Sequence, residues 1–264
     1  MFSSTMLETL TVTRYLTPLR EGGSLPAIVE ANDDGTYVLK FRGAGQGVKA
    51  LIAEVIAGEL ARSLGLPVPR TAFMMLDAAI GRNEPDYEIR TLLNTSVGLN
   101  YGIDYLPGSI AYDPAVNKID SELASAIVWF DAFITNVDRT ARNTNMLMWH
   151  KKLYLIDHGA SLFFHHQWPL VGEKYKSPFA AIKDHVLLPF ANDIEAMDER
   201  LKPQLTSHVI EDTLALVPEE WLSVETHFKT VEEHRDAYAD YFRSRLNVSH
   251  VFVKEAIRAR ASAI

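Results

Sequence analysis

Two carboxylates and an amide stand close together in the segment DAFITNVDRTARNTNMLMWHKKLYLIDHGASL, which covers residues 131–162. Asp138 and Asn143 have the spacing D-x-x-x-x-N, and Asp157 begins the tripeptide Asp-His-Gly. Transfer of a phosphoryl group from ATP needs one carboxylate to orient the attacking hydroxyl, and oxygen ligands to hold Mg²⁺ against the phosphates. We therefore predict that Asp138 orients the hydroxyl, and that Asn143 and Asp157 are the magnesium ligands.

The order of parts around these residues favours that chemistry. Two short apolar runs, 146–149 and 153–156, flank a polar turn and predict a β-hairpin. A hairpin returns the chain to its starting point, so it would bring Asp157 back beside the loop. Asp and Asn are also common in loops as caps and Asx-turns, and D-x-x-x-x-N alone occurs by chance. The sequence of buried helix, Asp, Asn, hairpin and Asp-x-Gly is what indicates a kinase-like site.

A lysine and a glutamate in the N-terminal half provide a second test. Lys40 lies in a predicted strand, 37–41, and Glu54 follows fourteen residues later in a predicted helix. In kinases a strand lysine paired with a helix glutamate holds the α- and β-phosphates. Taken alone, Lys40 is better explained as an exposed lysine on an edge strand, with Glu54 on the solvent-exposed face of its helix. Glu59 lies on the same helix, but its neighbour Leu60 belongs to the apolar stripe, so we prefer Glu54 as the partner of Lys40.

Two glycine-rich stretches compete for the role of phosphate loop. Gly22-Gly23-Ser24 joins the first two predicted strands, where a kinase has its covering loop, and 43–47 joins the Lys40 strand to the helix. The second stretch matches neither a Walker A loop nor a dinucleotide fingerprint. Either stretch is also explained as a turn that needs positive φ. We predict that Gly22, Gly23 and Ser24 contact the nucleotide together with Lys40.

The elements that would position these residues change in character along the chain. Short alternating or apolar runs predict strands at 11–17, 25–30, 37–41 and 70–80. An Asp-Gly hairpin signal lies between the second and the third of these strands. Helical spacing predicts helices at 48–64 and 121–135 and a helical pattern from 178 onward, broken by prolines. We predict an α+β, two-lobed, protein-kinase-like fold, with a β-rich N-lobe in 1–108 and an α-rich C-lobe in 109–264.

Composition excludes several other classes of protein. The chain has 264 residues, 26 Lys and Arg against 34 Asp and Glu, a net charge of −8 and no cysteine. Cysteine-based zinc sites, disulfides and thiolate nucleophiles are therefore absent, and the acidic balance argues against direct nucleic-acid binding. The start has no basic head and carries Glu8, and no window offers the about 20 apolar residues of a membrane helix. We expect a cytoplasmic protein without membrane contact.

The chain resembles the HipA-like kinases, bacterial serine/threonine kinases related in fold to phosphatidylinositol kinases. The similarity runs from about Leu16 to Leu162 and is looser in the C-terminal helices. It rests on Lys40 in its strand, Glu54 followed by Leu60-Ala61-Arg62 and Gly65-Leu66-Pro67-Val68-Pro69, Asp138-Arg139-Thr140-Ala141-Arg142-Asn143, and Leu155-Ile156-Asp157-His158-Gly159. The resemblance implies a catalytic loop at Asp138, Mg²⁺ on Asp157, ATP as phosphoryl donor and a protein substrate.

The chain also departs from the HipA toxins, which carry an extra N-terminal subdomain and a longer C-terminal lobe. It is closer to compact HipA-like members, so an antitoxin partnership is not carried over, and a small regulatory partner protein stays open. Because family members are inactivated by phosphorylation of a serine near the glycine-rich loop, we hypothesise autophosphorylation at Ser24. Two alternatives remain: a nucleotide-binding pseudokinase acting as a regulatory module, and a small-molecule or lipid kinase of the same fold.

Overall fold

A computed structural model describes residues 7–20, 25–45 and 47–263. Contacts divide the chain into two units, Met1–Leu51 with Pro69–Gly108, and Ile52–Val68 with Ser109–Ile264. The division falls inside the first helix, α1 (Val48–Ser63), which the sequence had placed wholly in the N-terminal lobe. Within the described ranges, none of the helices combines the length and the apolar character needed to cross a bilayer.

The first unit is built on five strands. Their bounds are β1 Thr9–Pro18, β2 Ala27–Ala31, β3 Thr36–Lys40, β4 Thr71–Leu76 and β5 Gly98–Asp104. The first three pair antiparallel in chain order, as expected for a meander, and the full order β1-β2-β3-β5-β4 closes into a barrel. Closure was not predicted, because it depends on a parallel pairing of β1 with β4 between residues more than sixty positions apart.

Alternation along β3 separates its two faces. Tyr37 and Leu39 are fully buried in the barrel core, whereas Lys40 lies on the opposite face and is half-buried. The Asp-Gly turn before β3 forms as predicted, since Asp33 accepts a hydrogen bond from the Gly35 N–H at 3.0 Å. The hairpin signal and the strand period were therefore sufficient for this part of the sheet.

A helix that was not predicted, α2 (Tyr87–Thr95), lies between β4 and β5. Its N-cap is Asp86, whose carboxylate accepts from the N–H groups of Glu88 and Ile89 at 2.9 and 3.3 Å. The predicted strand 70–80 is correspondingly shorter and ends at Leu76. Only two residues of α2, Ile89 and Leu93, are buried, so its apolar pattern is too sparse to mark a helix.

The second unit is mainly helical. Its described α-helices after α1 are α3 Ser121–Phe133, α4 Ile194–Leu201, α5 Ser207–Ala215, α6 Glu219–Leu222, α7 Val231–Asn247 and α8 His250–Ala263. Three short strands, β6 Ile110–Ala111, β7 Met146–Trp149 and β8 Lys152–Leu155, form an antiparallel sheet. The helical pattern predicted from 178 is wrong at its start, since this part holds only two short 3-10 helices, Ala180–Asp184 and Leu188–Phe190, and α-helix begins at Ile194.

The end of α3 is fixed by a buried cation. Arg245 of α7 is fully buried, and its guanidinium donates to the carbonyls of Ala132 at 2.6 Å and Phe133 at 2.8 Å. It also donates to the carbonyls of Tyr175 and Ser177, at 3.1 and 3.0 Å. Burial lowers the pKa of Arg245. Because a helix end leaves carbonyls without intrahelical partners, this one side chain caps α3 where the candidate loop begins.

Candidate active site

A buried carboxylate on α3 anchors the loop that follows the helix. Asp131 is completely buried, and one of its oxygens accepts from the Asn136 side-chain amide at 3.0 Å. The other oxygen receives Arg139 Nε at 2.6 Å and His185 Nε2 at 2.9 Å. Burial alone would raise the pKa of Asp131, but the attraction of Arg139 and His185 outweighs it and holds the pKa well below its usual range. Asp131 is therefore an ionised anchor with no access to solvent.

His185 ties a distant segment to the same loop. Its Nδ1 accepts the N–H of Leu187 at 3.1 Å, so its proton lies on Nε2 and is donated to Asp131. The main chain adds a hydrogen bond from the Val186 N–H to the Arg139 carbonyl at 3.1 Å. The loop is thus held by the buried side chains of Asp131 and His185 and by the main-chain hydrogen bond from Val186.

Asp138 lies on this loop and is partly exposed. The amides of Asn143 and Asn145 both donate to the same oxygen, Oδ2, at 2.8 and 3.1 Å. The Asp138 N–H donates to the side-chain oxygen of Asn136 at 3.1 Å. The structure therefore brings Asp138 and Asn143 into direct contact, and it adds Asn145, which sequence reasoning missed.

The hairpin of β7 and β8 returns the main chain before Asp157 to this loop. The Ile156 N–H donates to the Asn145 carbonyl at 3.0 Å, and Arg139 Nη1 donates to the carbonyls of both Asn145 and Ile156. Asp157 follows directly. Both Asn145 and Asp157 have left-handed backbones, with φ of 47° and 56°. Such conformations cost free energy in non-glycine residues and cluster at functional sites, so their position here supports a functional loop.

Glu54 faces the Asp-His-Gly segment within the second unit. Its side chain is 2% exposed, and its Oε2 lies 4.0 Å from Nδ1 of His158. His158 is itself buried, with its ring edge-on to Phe130. Glu59, the rejected candidate, forms an ion pair with Arg62 at 3.3 Å on the helix surface. The pairing of Glu54 with Lys40 stays a prediction.

Of the two glycine-rich stretches considered for the phosphate loop, the structure describes part of the second and none of the first three candidate residues. Gly22, Gly23 and Ser24 lie outside the described residues. In the second stretch, the Gly43 N–H donates to the Ser96 hydroxyl at 3.2 Å, and a Cβ at Gly43 would lie 2.6 Å from the Thr95 hydroxyl oxygen. Close packing against the end of α2 explains that glycine without any ligand.

The donor set fits a magnesium ion that is completed by phosphates. Among the described residues, no three His, Asp or Glu side chains are grouped closely enough to hold a metal by themselves. Mg²⁺ in nucleotide sites is held by one or two carboxylates, with the remaining positions filled by substrate phosphates and water. Asp157 and the amide oxygen of Asn143 are ligands of the kind that Mg²⁺ takes, and their binding of Mg²⁺ stays a prediction.

Three residues of this site were not found from the sequence. His185 is separated from Asp131 by 54 positions, and no local pattern marks such a contact. Asn145 differs from any other loop asparagine only in its partners. Asp131 did carry a signal, because a carboxylate in a helix that is apolar on most sides must have buried partners.

Comparison of the chain with known proteins finds a matching protein family. A family model described as HipA-like kinase matches residues 12–250. No curated protein sequence matches the chain.

Solved kinase structures share the fold at low identity. The Helicobacter pylori proinflammatory kinase CtkA aligns with a TM-score of 0.59 and 12% identity, covering 96% of this chain and 98% of that one. A Golgi casein kinase aligns with a TM-score of 0.50 and 12% identity, covering 97% and 74%. The same kinase with Mn/ADP bound gives 0.51 and 12%, covering 97% and 75%. These likenesses show a kinase fold.

Proposed function

The chain belongs to the HipA-like kinase family, and from this premise we propose that it transfers the γ-phosphoryl group of ATP to a Ser or Thr hydroxyl of a protein. The observation that carries the proposal is the Asp138 carboxylate, held by two amides on a loop tied to the residue before Asp157. This arrangement combines a partly exposed carboxylate, which can meet a hydroxyl, with a second carboxylate for a metal. The cytoplasm is the proposed location of the reaction.

Asp138 has the central role in the proposed reaction. It orients the acceptor hydroxyl and takes its proton as the oxygen attacks the γ-phosphorus. The new bond joins that oxygen to phosphorus, the bond to the β–γ bridging oxygen breaks, and ADP leaves with the electron pair. Most of the acceleration would come from positioning, because phosphoryl transfer needs little covalent chemistry from the protein.

The remaining predicted residues bind and orient the nucleotide. Asn143 and Asp157 would hold Mg²⁺, which would neutralise the negative charge of the phosphates. Lys40 would contact the phosphates, Glu54 would orient Lys40, and Gly22, Gly23 and Ser24 would cover the nucleotide. The structure of the Golgi casein kinase with Mn/ADP bound supports the use of a nucleotide together with a divalent metal.

The test is transfer of label from γ-labelled ATP and Mg²⁺ to proteins of a cell lysate. The wild type should label an acceptor, and Asp138→Asn and Asp157→Asn should each reduce labelling by about 10² to 10⁴-fold. Asp240→Asn, which changes an exposed carboxylate on α7, is the matched control and should leave the rate unchanged. Equal labelling by wild type and Asp138→Asn would contradict the proposed role. Binding of Mg-ATP with no transfer to any acceptor would instead identify a pseudokinase.

Autophosphorylation at Ser24 belongs to the same proposal. Intact-mass measurement after incubation with Mg-ATP should show one added phosphate on the wild type and none on Ser24→Ala. An unmodified wild-type mass would contradict it.

A further inference from the structure

Asn145 stands out because its amide reaches the carboxylate that carries the proposed chemistry. We infer that Asn145 is a positioning residue for Asp138, an inference that rests on the function proposed above. Its Nδ2 lies 3.1 Å from Oδ2 of Asp138, and Asn143 Nδ2 lies 2.8 Å from the same oxygen. Two donors on one oxygen fix the rotation of the carboxylate. Among the described residues none donates to Oδ1, which leaves that oxygen for the acceptor hydroxyl.

The backbone of Asn145 is fixed independently of its side chain. The Asn145 carbonyl accepts from Arg139 Nη1 and from the Ile156 N–H, at 3.0 Å for the latter. Arg139 is in turn bonded to Asp131, so the position of Asn145 is set by the buried network. Its φ of 47° also suits asparagine, which adopts the left-handed region more readily than most residues.

The two asparagines differ in a way that separates their roles. Asn143 is exposed and is the residue predicted to give its amide oxygen to Mg²⁺, whereas Asn145 is 8% exposed. Asn143 is predicted to serve the metal as well as Asp138. A buried amide on a fixed backbone orients Asp138 whether or not nucleotide is present. Loss of Asn145 should therefore slow the transfer step without weakening nucleotide binding.

Two substitutions isolate the side-chain amide. Asn145→Gly removes it and keeps both the left-handed backbone and the carbonyl contacts to Arg139 and Ile156. Asn145→Asp keeps the size and replaces the donor with a second acceptor opposite Oδ2. The matched control is Asn117→Gly, because Asn117 lies in a turn where its side chain accepts the Asp113 N–H at 3.0 Å.

The experiment measures label transfer from γ-labelled Mg-ATP to lysate protein by the full chain, with kcat, KM for ATP and unfolding temperature for each variant. Asn145→Gly and Asn145→Asp should lower kcat by about 10- to 100-fold, the value of a hydrogen bond to a charged group in an oriented site. For Asn145→Gly the KM for ATP and the unfolding temperature should stay at the wild-type values, and Asn117→Gly should behave as wild type. Asn145→Asp places a second carboxylate beside Asp138 and should also lower the unfolding temperature.

The outcomes separate this inference from the proposed function. If Asp138→Asn abolishes transfer while both Asn145 variants keep the wild-type kcat, the positioning role is wrong and the kinase function stands. A fall in the unfolding temperature of Asn145→Gly that accounts for its lost rate would also overturn it, since Asn145 would then be structural. If Asp138→Asn transfers at the wild-type rate, the proposed function fails and this inference fails with it.

Discussion

Substitution of Asp131 by asparagine should destabilise the protein severely, although the change removes only a charge. The neutral amide would leave the Arg139 guanidinium, whose side chain is 0% exposed, without its counter-ion. An amide also cannot accept from Arg139, His185 and Asn136 on the same terms as a carboxylate, because one of its two polar atoms is a donor. The perturbation therefore acts on charge and on hydrogen bonding together.

The magnitude follows from the 2.6 Å separation of Arg139 Nε and Asp131 Oδ2. At an effective dielectric constant of about 20, two unit charges at that distance attract by about 6 kcal/mol before desolvation is counted. Removing one partner of a buried pair leaves an uncompensated charge and costs about 3–5 kcal/mol net. For a chain of this size that loss lowers the unfolding temperature by roughly 6–20 °C.

Thermal unfolding followed by far-ultraviolet circular dichroism at neutral pH measures the effect. Asp240→Asn, which breaks a surface pair with Arg243, is the control and should shift the transition little.

Unfolding in acid provides a second test of the Asp131 pair. Because the folded-state pKa of Asp131 is lowered, its stabilisation is complete above the unfolded carboxyl pKa of about 4 and is lost as the pH falls below it. The difference in unfolding temperature between wild type and Asp131→Asn should therefore become smaller in acid. An unfolding temperature equal to that of wild type at neutral pH would refute the reasoning.

Three further predictions concern other parts of the molecule. Arg245→Met should lower the free energy of unfolding by about 3 kcal/mol or more, measured by urea titration, because four carbonyls lose one buried donor. Gly43→Ala should lower the free energy of unfolding by about 1–3 kcal/mol in the same assay, since its Cβ would lie 2.6 Å from the Thr95 hydroxyl oxygen. An unchanged urea midpoint would show that the loop accommodates the added methyl group. Burial and the hydrogen bond to Asp33 raise the pKa of Tyr37 to about 12. Its stabilisation should persist below pH about 10 and decline above it. The phenolate absorbance that arises near pH 12 should be smaller in Tyr37→Phe than in wild type, and the contribution of Tyr15, whose pKa is also raised to about 12, should remain.

The sequence was most informative where structure depends on neighbours in the chain. Alternation and the Asp33-Gly35 turn predicted β3 and its hairpin, and helical spacing predicted α1 and α3. The polar loop and the following hairpin predicted that Asp138, Asn143 and Asp157 form one group, because a hairpin returns the chain locally, and the structure has the contact between Asp138 and Asn143. Those features need only short-range geometry.

The parts that were missed depend on contacts between distant residues. Barrel closure by β1 and β4 has no local signal, and neither does the placement of His185 on Asp131. The helix α2 buries only two side chains, so its position follows from packing after the barrel has formed. Asn145 was recognisable as a loop residue, but its contact with Asp138 requires the left-handed backbone that the carbonyl contacts impose.

The capping of α3 by Arg245 has a consequence for synthesis of the protein on the ribosome. The bonds from Arg245 reach back 112 and 113 positions to the carbonyls of Phe133 and Ala132. While a chain is being made, the loop carrying Asp138 emerges long before the side chain that fixes its helix. A nascent chain therefore contains every predicted catalytic residue before the residue that caps α3 has been added. The last contact at the end of α3 can form only after α7 has been translated and docked.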